Sequence, residues 1–524
     1  MSDLPTPLPI PFLTQMHELL GDEYNAFLAG YNEPPRRGLR FNLLKCDVSN
    51  RLPDLGIGPL SPVPWCKEGY QYPADARPAK NFLYNAGLFY IQEPSAMSPA
   101  AILSPRPGER LLDICAAPGG KSVQLAGYMQ GQGVLVSNDI SPSRSRALVK
   151  NLEMAGVTNA IVLTEKPNRL AERFQAFFDC ILVDAPCSGE GMFRRDPDAA
   201  KAYTTNKPEA CAAMQQEILR HAAVMLRPGG RMVYSTCTFN PLENEGAVSA
   251  FLSAHSDFEL LPIDHNGLGL YRGRGEWANT APKAGTTFGL DATSMVSAFN
   301  RTARIWPHIS PGEGHFIALM TKAGDQTAPD FRRGAHCASA TCVKSIDTDG
   351  RAMRAPTSTT HIIHPREIKA PGKAERISRT HERLPEEFIA FCDEALNTSA
   401  FENSNQNIHR HNNSLFLQPE NLDLSGLRVA RSGWLLGECA KGRFVPSQAL
   451  AMGITKAQAR YAIDLPELMA SRYLKGESLI PPEDFNLPPG KPWVLICYSG
   501  LPLGWGRLVQ GRIKNQLPSG WVVT

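Results

Sequence analysis

The chain has 524 residues, of which 43% are apolar and 20% are charged, and its formal net charge is +3. This length predicts two to four domains, and so mild a charge does not by itself indicate a nucleic-acid-binding protein. The proline-rich N-terminus lacks the basic and apolar segments of a signal peptide. No apolar stretch reaches the roughly 18 to 20 residues that span a bilayer. We therefore expect a cytoplasmic protein without a membrane segment.

The twelve cysteines form neither a disulfide framework nor a zinc motif. Cys337 and Cys342, the closest pair, have His336 beside them but no second pair that would complete a tetrahedral site. Scattered cysteines of this kind are typical of reduced proteins whose thiols are mostly buried. We predict no metal site.

Residues 1–105 are expected to form an N-terminal α+β unit that binds RNA. Basic and aromatic side chains occur together at 35–45 and again at 81–90. Arginines beside aromatic rings can bind phosphate and stack bases. The same pattern is also typical of a solvated basic turn followed by a core strand, and the residues alone leave both interpretations open.

Residues 106–324 show an α/β pattern, in which short apolar β-type runs alternate with helical segments. Such alternation predicts a mostly parallel sheet covered by helices on both faces. Ser141 and Pro142 mark one helix start, a longer helix is predicted over 208–226, and Glu243 is placed for a capping box. A glycine-rich stretch at 264–312 predicts an insertion. The β-type runs lie at 111–114, 134–136, 160–163, 181–183, 232–234 and 315–319.

The C-terminal part begins with a stretch at 325–378 that is rich in Ala, Thr, Ser, Arg and His and has no clear period. This composition predicts a flexible linker. Order is expected to return in a connecting domain over 379–424. The remainder, 425–524, alternates short strands and turns and predicts a β-rich module.

A glycine-rich turn at 113–122 follows the first predicted core strand and opens a helix. Glycines at such a turn allow a ligand to approach the backbone and the free amides of the helix N-terminus. A phosphate loop is disfavoured because Cys115 stands where that motif needs glycine or alanine. A nucleoside cofactor, S-adenosylmethionine, is favoured by Asp139, which follows the second strand and can accept both ribose hydroxyls. A purely structural strand–helix turn is the remaining alternative.

Two cysteines follow predicted strands: Cys187 after the run at 180–184, and Cys237 after the run at 231–235. If these strands are parallel neighbours, both thiols emerge at one edge of the sheet. A thiolate that attacks carbon 6 of a pyrimidine activates carbon 5 for methylation. Asp184 can hydrogen-bond the cytosine N3/N4 edge and stabilise the protonated adduct. The alternative for either cysteine is a buried small apolar side chain.

Three segments, 115–121, 184–189 and 235–238, together resemble the RNA cytosine-5 methyltransferase family, the NOL1/NOP2/Sun group. The resemblance implies a Rossmann-like class I methyltransferase core with a mostly parallel seven-stranded sheet. It implies that Cys237 is the nucleophile and that Cys187 assists release of the adduct. It also implies S-adenosyl-L-methionine as cofactor, bound by Cys115, Ala116, Ala117, Pro118, Gly119, Gly120, Lys121, Asp139, Glu165 and Asp184.

Further segments resemble the bacterial RsmF-type members of this family, which modify small-subunit ribosomal RNA. These segments lie at 90–97, 306–308, 312–316 and 500–506. The resemblance implies a monomer whose partner is 16S rRNA or the small ribosomal subunit, with a PUA-like RNA-binding module over 425–524. The long stretches at 264–312 and 325–378 are departures from the family pattern. A P-loop NTPase and a non-catalytic RNA-binding scaffold are the alternative functions.

Overall fold

The computed structural model describes residues 8–48, 55–203, 207–279, 292–324, 384–397, 407–482, 485 and 489–523. The predicted linker at 325–378, with Cys337 and Cys342, lies outside the described residues, as does the middle of the predicted insertion. The described residues all belong to one unit of mutually contacting segments. None of the helices within these ranges has the length and apolar character needed to span a membrane.

The N-terminal region places a helical pair before a small antiparallel sheet, whose strand order is β2-β3-β1-β4. Leu39 and Phe41 of β1 are almost fully buried, and so is Arg40 between them. The segment at 38–41 is therefore a core strand rather than a solvated basic turn. The elements are α1 Ile10–Leu20, α2 Tyr24–Gly30, β1 Gly38–Phe41, β2 Ser61–Val63, β3 Cys66–Gln71, α3 Phe82–Asn85, β4 Phe89–Ile91 and α4 Ser98–Leu103.

The central region has the predicted α/β architecture. Its elements are β5 Arg110–Asp113, α5 Gly120–Met129, β6 Val134–Asn138, α6 Pro142–Ala155, β7 Ala160–Leu163, α7 Pro167–Arg173, β8 Phe178–Asp184, α8 Pro197–Ala202, α9 Pro208–Met225, β9 Leu226–Thr236, α10 Glu245–Ala254, β10 Phe258–Leu260, α11 His265–Leu268, β11 Tyr271–Arg272, α12 Ala292–Phe299, β12 Ala303–Ile305 and β13 His315–Lys322.

The sheet of this region runs in the order β11-β12-β13-β9-β8-β5-β6-β7, with β10 paired to β13. Strands β9, β8, β5, β6 and β7 are parallel, whereas β13 is antiparallel to β9. Successive residues such as Leu111 and Leu112 pack into different apolar clusters on the two faces, because side chains alternate along a strand. With the C-terminal strand β16 (Val429–Arg431) the sheet has ten strands among the described residues, so it is a mixed sheet that is larger than the seven strands implied by the resemblance. The predicted insertion adds β11 and β12 at one edge.

The C-terminal region contributes one strand to the central sheet and forms two small sheets of its own. Strand β16 pairs antiparallel with β7 and closes the other edge of the central sheet. The separate sheets have the orders β14-β15-β17-β18 and β19-β20-β21-β22. The elements are α13 Glu386–Ala395, β14 Ile408–His411, β15 Ser414–Leu417, β16 Val429–Arg431, β17 Trp434–Ala440, β18 Arg443–Pro446, α14 Gln448–Gly453, β19 Ala462–Asp464, α15 Glu467–Leu474, β20 Trp493–Tyr498, β21 Leu501–Val509 and β22 Arg512–Asn515.

Two predicted helix starts have different outcomes. Ser141 caps α6 by accepting a hydrogen bond from the Arg144 amide, with Pro142 in the first turn, as predicted. The capping box at Glu243 is wrong, because α10 begins only at Glu245 and has no side-chain cap. Glu243 is instead buried and accepts hydrogen bonds from Ser188 in another loop and from Gln215 of α9.

Candidate active site

The glycine-rich turn connects β5 to α5 at the carboxyl edge of the parallel strands. Gly119 has a φ of +113°, a conformation that favours glycine. A Cβ at Gly120 would lie 3.0 Å from atoms of both Gln92 and Tyr90 in the N-terminal region. Arg40 donates a 2.7 Å hydrogen bond to the Gly120 carbonyl. The N-terminal sheet thus holds the turn closely, and Arg40 supports this turn instead of presenting its charge at the surface.

The carboxylate of Asp139 lies directly beyond β6, on the same edge. One oxygen accepts a 2.9 Å hydrogen bond from the Ser141 amide, and the other lies 3.2 Å from the Arg144 guanidinium. Its side chain is only 3% exposed. This places an ordered acceptor next to the glycine-rich turn, where the sequence predicted it.

Asp113, at the end of β5, is a fully buried carboxyl group in which only one of the two oxygens has a hydrogen-bond partner among the described residues. One oxygen accepts a 2.7 Å hydrogen bond from the Ser122 hydroxyl, while the other has no partner among the described residues. Burial raises the pKa of Asp113 to about 7, against the effect of Ser122. Buried polar atoms usually have partners, so the unpaired oxygen, the glycine turn and Asp139 together fit a hydroxyl- and amine-bearing cofactor.

Two other predicted cofactor residues have different surroundings. Cys115 is a half-buried residue whose thiol pKa is raised strongly by burial and by nearby carboxylates, so it is inert as a nucleophile. Glu165 is buried, and its carboxylate accepts a 2.7 Å hydrogen bond from the Arg428 amide of the C-terminal region. The role of Glu165 toward a cofactor remains a prediction.

Asp184, the last residue of β8, stands at the centre of a charged cluster. One of its oxygens accepts a 2.7 Å hydrogen bond from the Lys121 ammonium, and the other accepts one of 2.9 Å from the Ser235 hydroxyl. The His315 Nε2 atom lies 3.7 Å away. Burial opposes ionisation, but Lys121 and His315 outweigh it and hold the pKa of Asp184 well below its usual range. Asp184 is therefore a stable carboxylate.

The two cysteine thiols meet at this edge, as the sequence predicted. Strands β8 and β9 are parallel neighbours in which Asp184 pairs with Ser235, and the Sγ atoms of Cys187 and Cys237 lie 3.4 Å apart. The hydrogen bond with Cys237 and burial raise the pKa of the Cys187 thiol. Asp184 and Cys237 both raise the pKa of Lys121, against burial. The Lys121 ammonium therefore acts on both the carboxylate and Cys237.

A buried hydrogen-bond network fixes the loop that carries Cys187. The Ser188 amide donates a 2.9 Å hydrogen bond to Glu243, and the Ser188 hydroxyl bonds to both Glu243 and Thr238. Gln215 of α9 donates to Glu243 as well. On the other side, the Gly191 amide donates a 2.8 Å hydrogen bond to the Cys237 carbonyl. This network joins the two cysteine loops behind the thiols.

Sequence reasoning missed two contributors to the site. His315 was predicted only as the first residue of a strand and as part of a resembling segment. Its place at the site was missed because the sequence does not show to which edge of the sheet an antiparallel strand brings its first residue. Glu243 was assigned to a helix cap, since its spacing from Asn240 imitates a capping box. The sequence signal that could have indicated a role at the site is the position of Glu243 within a few residues of Cys237, the candidate nucleophile.

Family models cover most of the chain. Residues 100–321 match the model described as 16S rRNA methyltransferase RsmB/F, and residues 8–94 match the N-terminal domain of 16S rRNA methyltransferase RsmF. The RsmF first C-terminal domain matches 390–454 and the methyltransferase RsmF PUA domain matches 460–523. The PUA match is narrower than the module expected over 425–524.

Similar proteins match over nearly the whole chain. A ribosomal RNA small subunit methyltransferase F of Erwinia tasmaniensis is 30% identical over 97% of this chain and 96% of its own. The protein of the same name from Shewanella loihica is 30% identical over 95% of this chain and 90% of its own. A crystal structure titled PH0851 has a TM-score of 0.51 and 25% identity over 60% of this chain and 66% of that chain. The chain therefore belongs to the ribosomal RNA small subunit methyltransferase F family.

Proposed function

We propose that this protein transfers a methyl group from S-adenosylmethionine to carbon 5 of a cytosine in 16S rRNA, through a covalent adduct with Cys237. The observation that carries the proposal is the pair of thiols 3.4 Å apart beside the Lys121–Asp184 ion pair. Membership of a methyltransferase family supports the reaction class.

The cofactor would be held by the glycine-rich turn and by the carboxylates around it. Asp139 is placed to accept ribose hydroxyls, as the acidic residue does in dinucleotide folds. The unpaired oxygen of Asp113 and the first amides of α5 face a ligand's polar groups. When bound there, S-adenosylmethionine supplies an electrophilic methyl group.

Cys237 would act by attacking carbon 6 of the target cytosine. Carbon 5 of a pyrimidine is a poor nucleophile, and addition of a thiolate at carbon 6 converts the ring into an enamine that can be methylated at carbon 5. Asp184 is an acceptor for the cytosine amino group because it stays ionised. The Lys121 ammonium is close enough to Cys237 for the two groups to interact electrostatically.

Cys187 would assist the second half of the reaction. After methylation, the proton on carbon 5 has to leave before the bond between Cys237 and carbon 6 can break. The Cys187 thiol is neutral in the resting site, since its hydrogen bond with Cys237 and its burial raise its pKa. The hydrogen bond that raises this pKa is lost when Cys237 bonds to carbon 6, so Cys187, whose sulfur lies 3.4 Å from that of Cys237, would then release its own proton to solvent and accept the carbon 5 proton as a thiolate.

The RNA would be bound by the domains that flank the catalytic region. A PUA domain match at 460–523 supports an RNA substrate, and the names of the relatives point to the small-subunit rRNA. The thiols are largely buried, so a paired target base would have to be extruded to reach them. We infer that the protein acts as a monomer.

The alternative functions receive less support from the site. A P-loop NTPase needs a lysine free to reach phosphate oxygens, whereas the Lys121 ammonium is bound to Asp184 at 2.7 Å. A non-catalytic scaffold would leave the closely placed thiols and the ionised Asp184 without a role.

The experiment is methylation of 16S rRNA and of small subunits by the full-length protein, with methylated nucleosides identified by mass spectrometry. We expect 5-methylcytidine with the wild type and none with Cys237→Ser. Cys392→Ser, in α13 of the C-terminal region, is the matched cysteine control and is expected to retain activity. Unchanged 5-methylcytidine formation by Cys237→Ser would exclude the covalent mechanism.

A further inference from the structure

His315 is a buried histidine that the reaction as described so far does not use. It is the first residue of β13, and its side chain is 2% exposed. The next residue, Phe316, pairs with Thr236, which directly precedes Cys237. The antiparallel pairing of β13 with β9 therefore carries His315 to the sheet edge where the nucleophile lies.

The imidazole of His315 lacks hydrogen bonds. Neither ring nitrogen has a hydrogen-bond partner among the residues that the structure describes. The Nε2 atom lies 3.7 Å from an Asp184 oxygen, which is too long for a hydrogen bond but close enough for electrostatic attraction. A buried polar group without a partner is costly and rare. The ring is therefore suited to a partner that arrives with the substrate.

The chemistry needs a proton donor that Asp184 cannot be. When a thiolate adds to carbon 6 of cytosine, the electron pair of the C5–C6 double bond forms a C4–C5 double bond. The C4–N3 π pair then moves onto N3, which must take up a proton. Lys121 and His315 hold Asp184 as a carboxylate, and it accepts hydrogen bonds from Lys121 and Ser235, so it has no proton to donate.

The other charged group in the cluster is a poor donor too. The Lys121 ammonium is engaged with Asp184 at 2.7 Å, and the carboxylate and Cys237 raise its pKa against burial. Imidazole is the side chain that exchanges protons near neutral pH, and a general acid works best when its proton affinity matches the working pH.

We propose that His315 is a catalytic acid that protonates N3 of the target cytosine while Cys237 attacks carbon 6. This inference rests on the proposed function. The imidazolium gives its proton to N3 and becomes neutral imidazole as the S–C6 bond forms. After carbon 5 is methylated and loses its proton, the S–C6 bond breaks, the C5–C6 double bond returns and N3 gives its proton back to His315.

The test compares His315→Ala with His265→Ala. His265 of α11 is also buried, but its Nε2 atom already has a partner, the Thr302 carbonyl at 2.8 Å. Methylation is measured at saturating RNA and S-adenosylmethionine, with and without added imidazole, alongside RNA affinity and the thermal midpoint. We expect His315→Ala to lose about 100-fold or more in kcat with little change in RNA affinity. Added imidazole is expected to restore part of the rate, whereas His265→Ala gains nothing from it.

A second measurement follows only the addition of Cys237 to carbon 6. It uses two substitutions of His315, so that the test still stands if one variant folds poorly. RNA containing 5-fluorocytidine stops the reaction at the adduct, because carbon 5 carries a fluorine atom in place of the proton that must be removed before the S–C6 bond can break. We expect both His315→Ala and His315→Gln to form this adduct slowly. The inference is overturned if folded His315 variants form the adduct and 5-methylcytidine within about threefold of the wild-type rate, or if imidazole leaves the slow rate unchanged. Absence of 5-methylcytidine with the wild type would instead overturn the proposed function.

Discussion

The Sγ atoms of Cys187 and Cys237 lie 3.4 Å apart, although 50 positions of sequence separate the two residues. The parallel pairing of β8 with β9 brings them together, because each cysteine follows the carboxyl end of one strand. Their hydrogen bond and burial raise the pKa of the Cys187 thiol, which supports the proposal that Cys237 attacks and Cys187 assists release.

Replacing Cys187 with serine should trap the covalent intermediate. Without the thiol beside the adduct, loss of the carbon 5 proton slows, while attack by Cys237 still proceeds. We expect a protein–RNA species that survives denaturing electrophoresis and contains a methylated cytosine. Cys392→Ser is expected to form no such species. Rapid turnover by Cys187→Ser without an adduct would show that another group performs the release.

Replacing Lys121 with methionine should raise the pKa of Asp184, since Lys121 makes the largest contribution that opposes the effect of burial. We expect kcat to fall by a factor on the order of 100, because the carboxylate loses its counter-ion. The defect should be largest at low pH, where Asp184 is protonated, and should shrink as the pH rises. The measurement is the ratio of variant to wild-type kcat between pH 6 and pH 9.

The matched control for Lys121 is Lys150→Met. Lys150 is an exposed residue of α6 that donates a hydrogen bond to the Gly520 carbonyl far from the thiols. Its kcat ratio to the wild type should stay flat across the pH range. A flat ratio for Lys121→Met as well would mean that the ion pair does not govern ionisation of Asp184.

Replacing Asp113 with asparagine should stabilise the cofactor-free protein at alkaline pH. The folded-state pKa of Asp113 is about 7, against an ordinary value of 3.8, so the folded state binds more protons than the unfolded state between these pH values. The free energy of unfolding of the wild type therefore falls as the pH rises from about 4 to about 7. We expect Asp113→Asn to remove this loss of stability, so that the free energy of unfolding at pH 8 rises by roughly 2 to 4 kcal/mol.

Urea unfolding at several pH values checks the effect of Asp113. The gain should shrink toward pH 5, where the carboxyl group is protonated in the folded protein. The exposed Asp257 serves as control, and Asp257→Asn should shift the unfolding midpoint equally at all pH values. An effect of Asp113→Asn that does not change with pH would contradict the raised pKa of the Asp113 carboxyl group.

Replacing Glu245 with glutamine should destabilise the central region. Glu245 and Arg304 form a buried ion pair whose side chains are 0% and 1% exposed, with one contact of 2.8 Å. Neutralising one partner leaves a buried charge uncompensated, which typically costs about 3 to 5 kcal/mol. Thermal unfolding measures the loss. Glu217→Gln, in the exposed pair with Arg220, should leave the midpoint unchanged, and equal effects of the two variants would contradict this account.

Much of the catalytic edge could be predicted because its signals are local. The strand–glycine–helix pattern at 113–122 predicted the glycine-rich turn between β5 and α5, and β-type runs before Cys187 and Cys237 predicted that both thiols lie at one edge. The N-cap at Ser141 was readable for the same reason, since a cap acts within one helical turn. The capping box expected at Glu243 failed because Ser188, in a distant segment, donates hydrogen bonds to that carboxylate.

The sequence by itself determined the α/β class, the strands that carry the cysteines and the identity of the family motifs. These features depend on short-range periodicity and on residue types within a few positions of one another. Only the tertiary structure decided that Lys121 binds Asp184, that Arg40 supports the glycine-rich turn and that His315 lies near Asp184. Each of these contacts joins distant segments, and their distances and burial depend on how the sheets and helices pack.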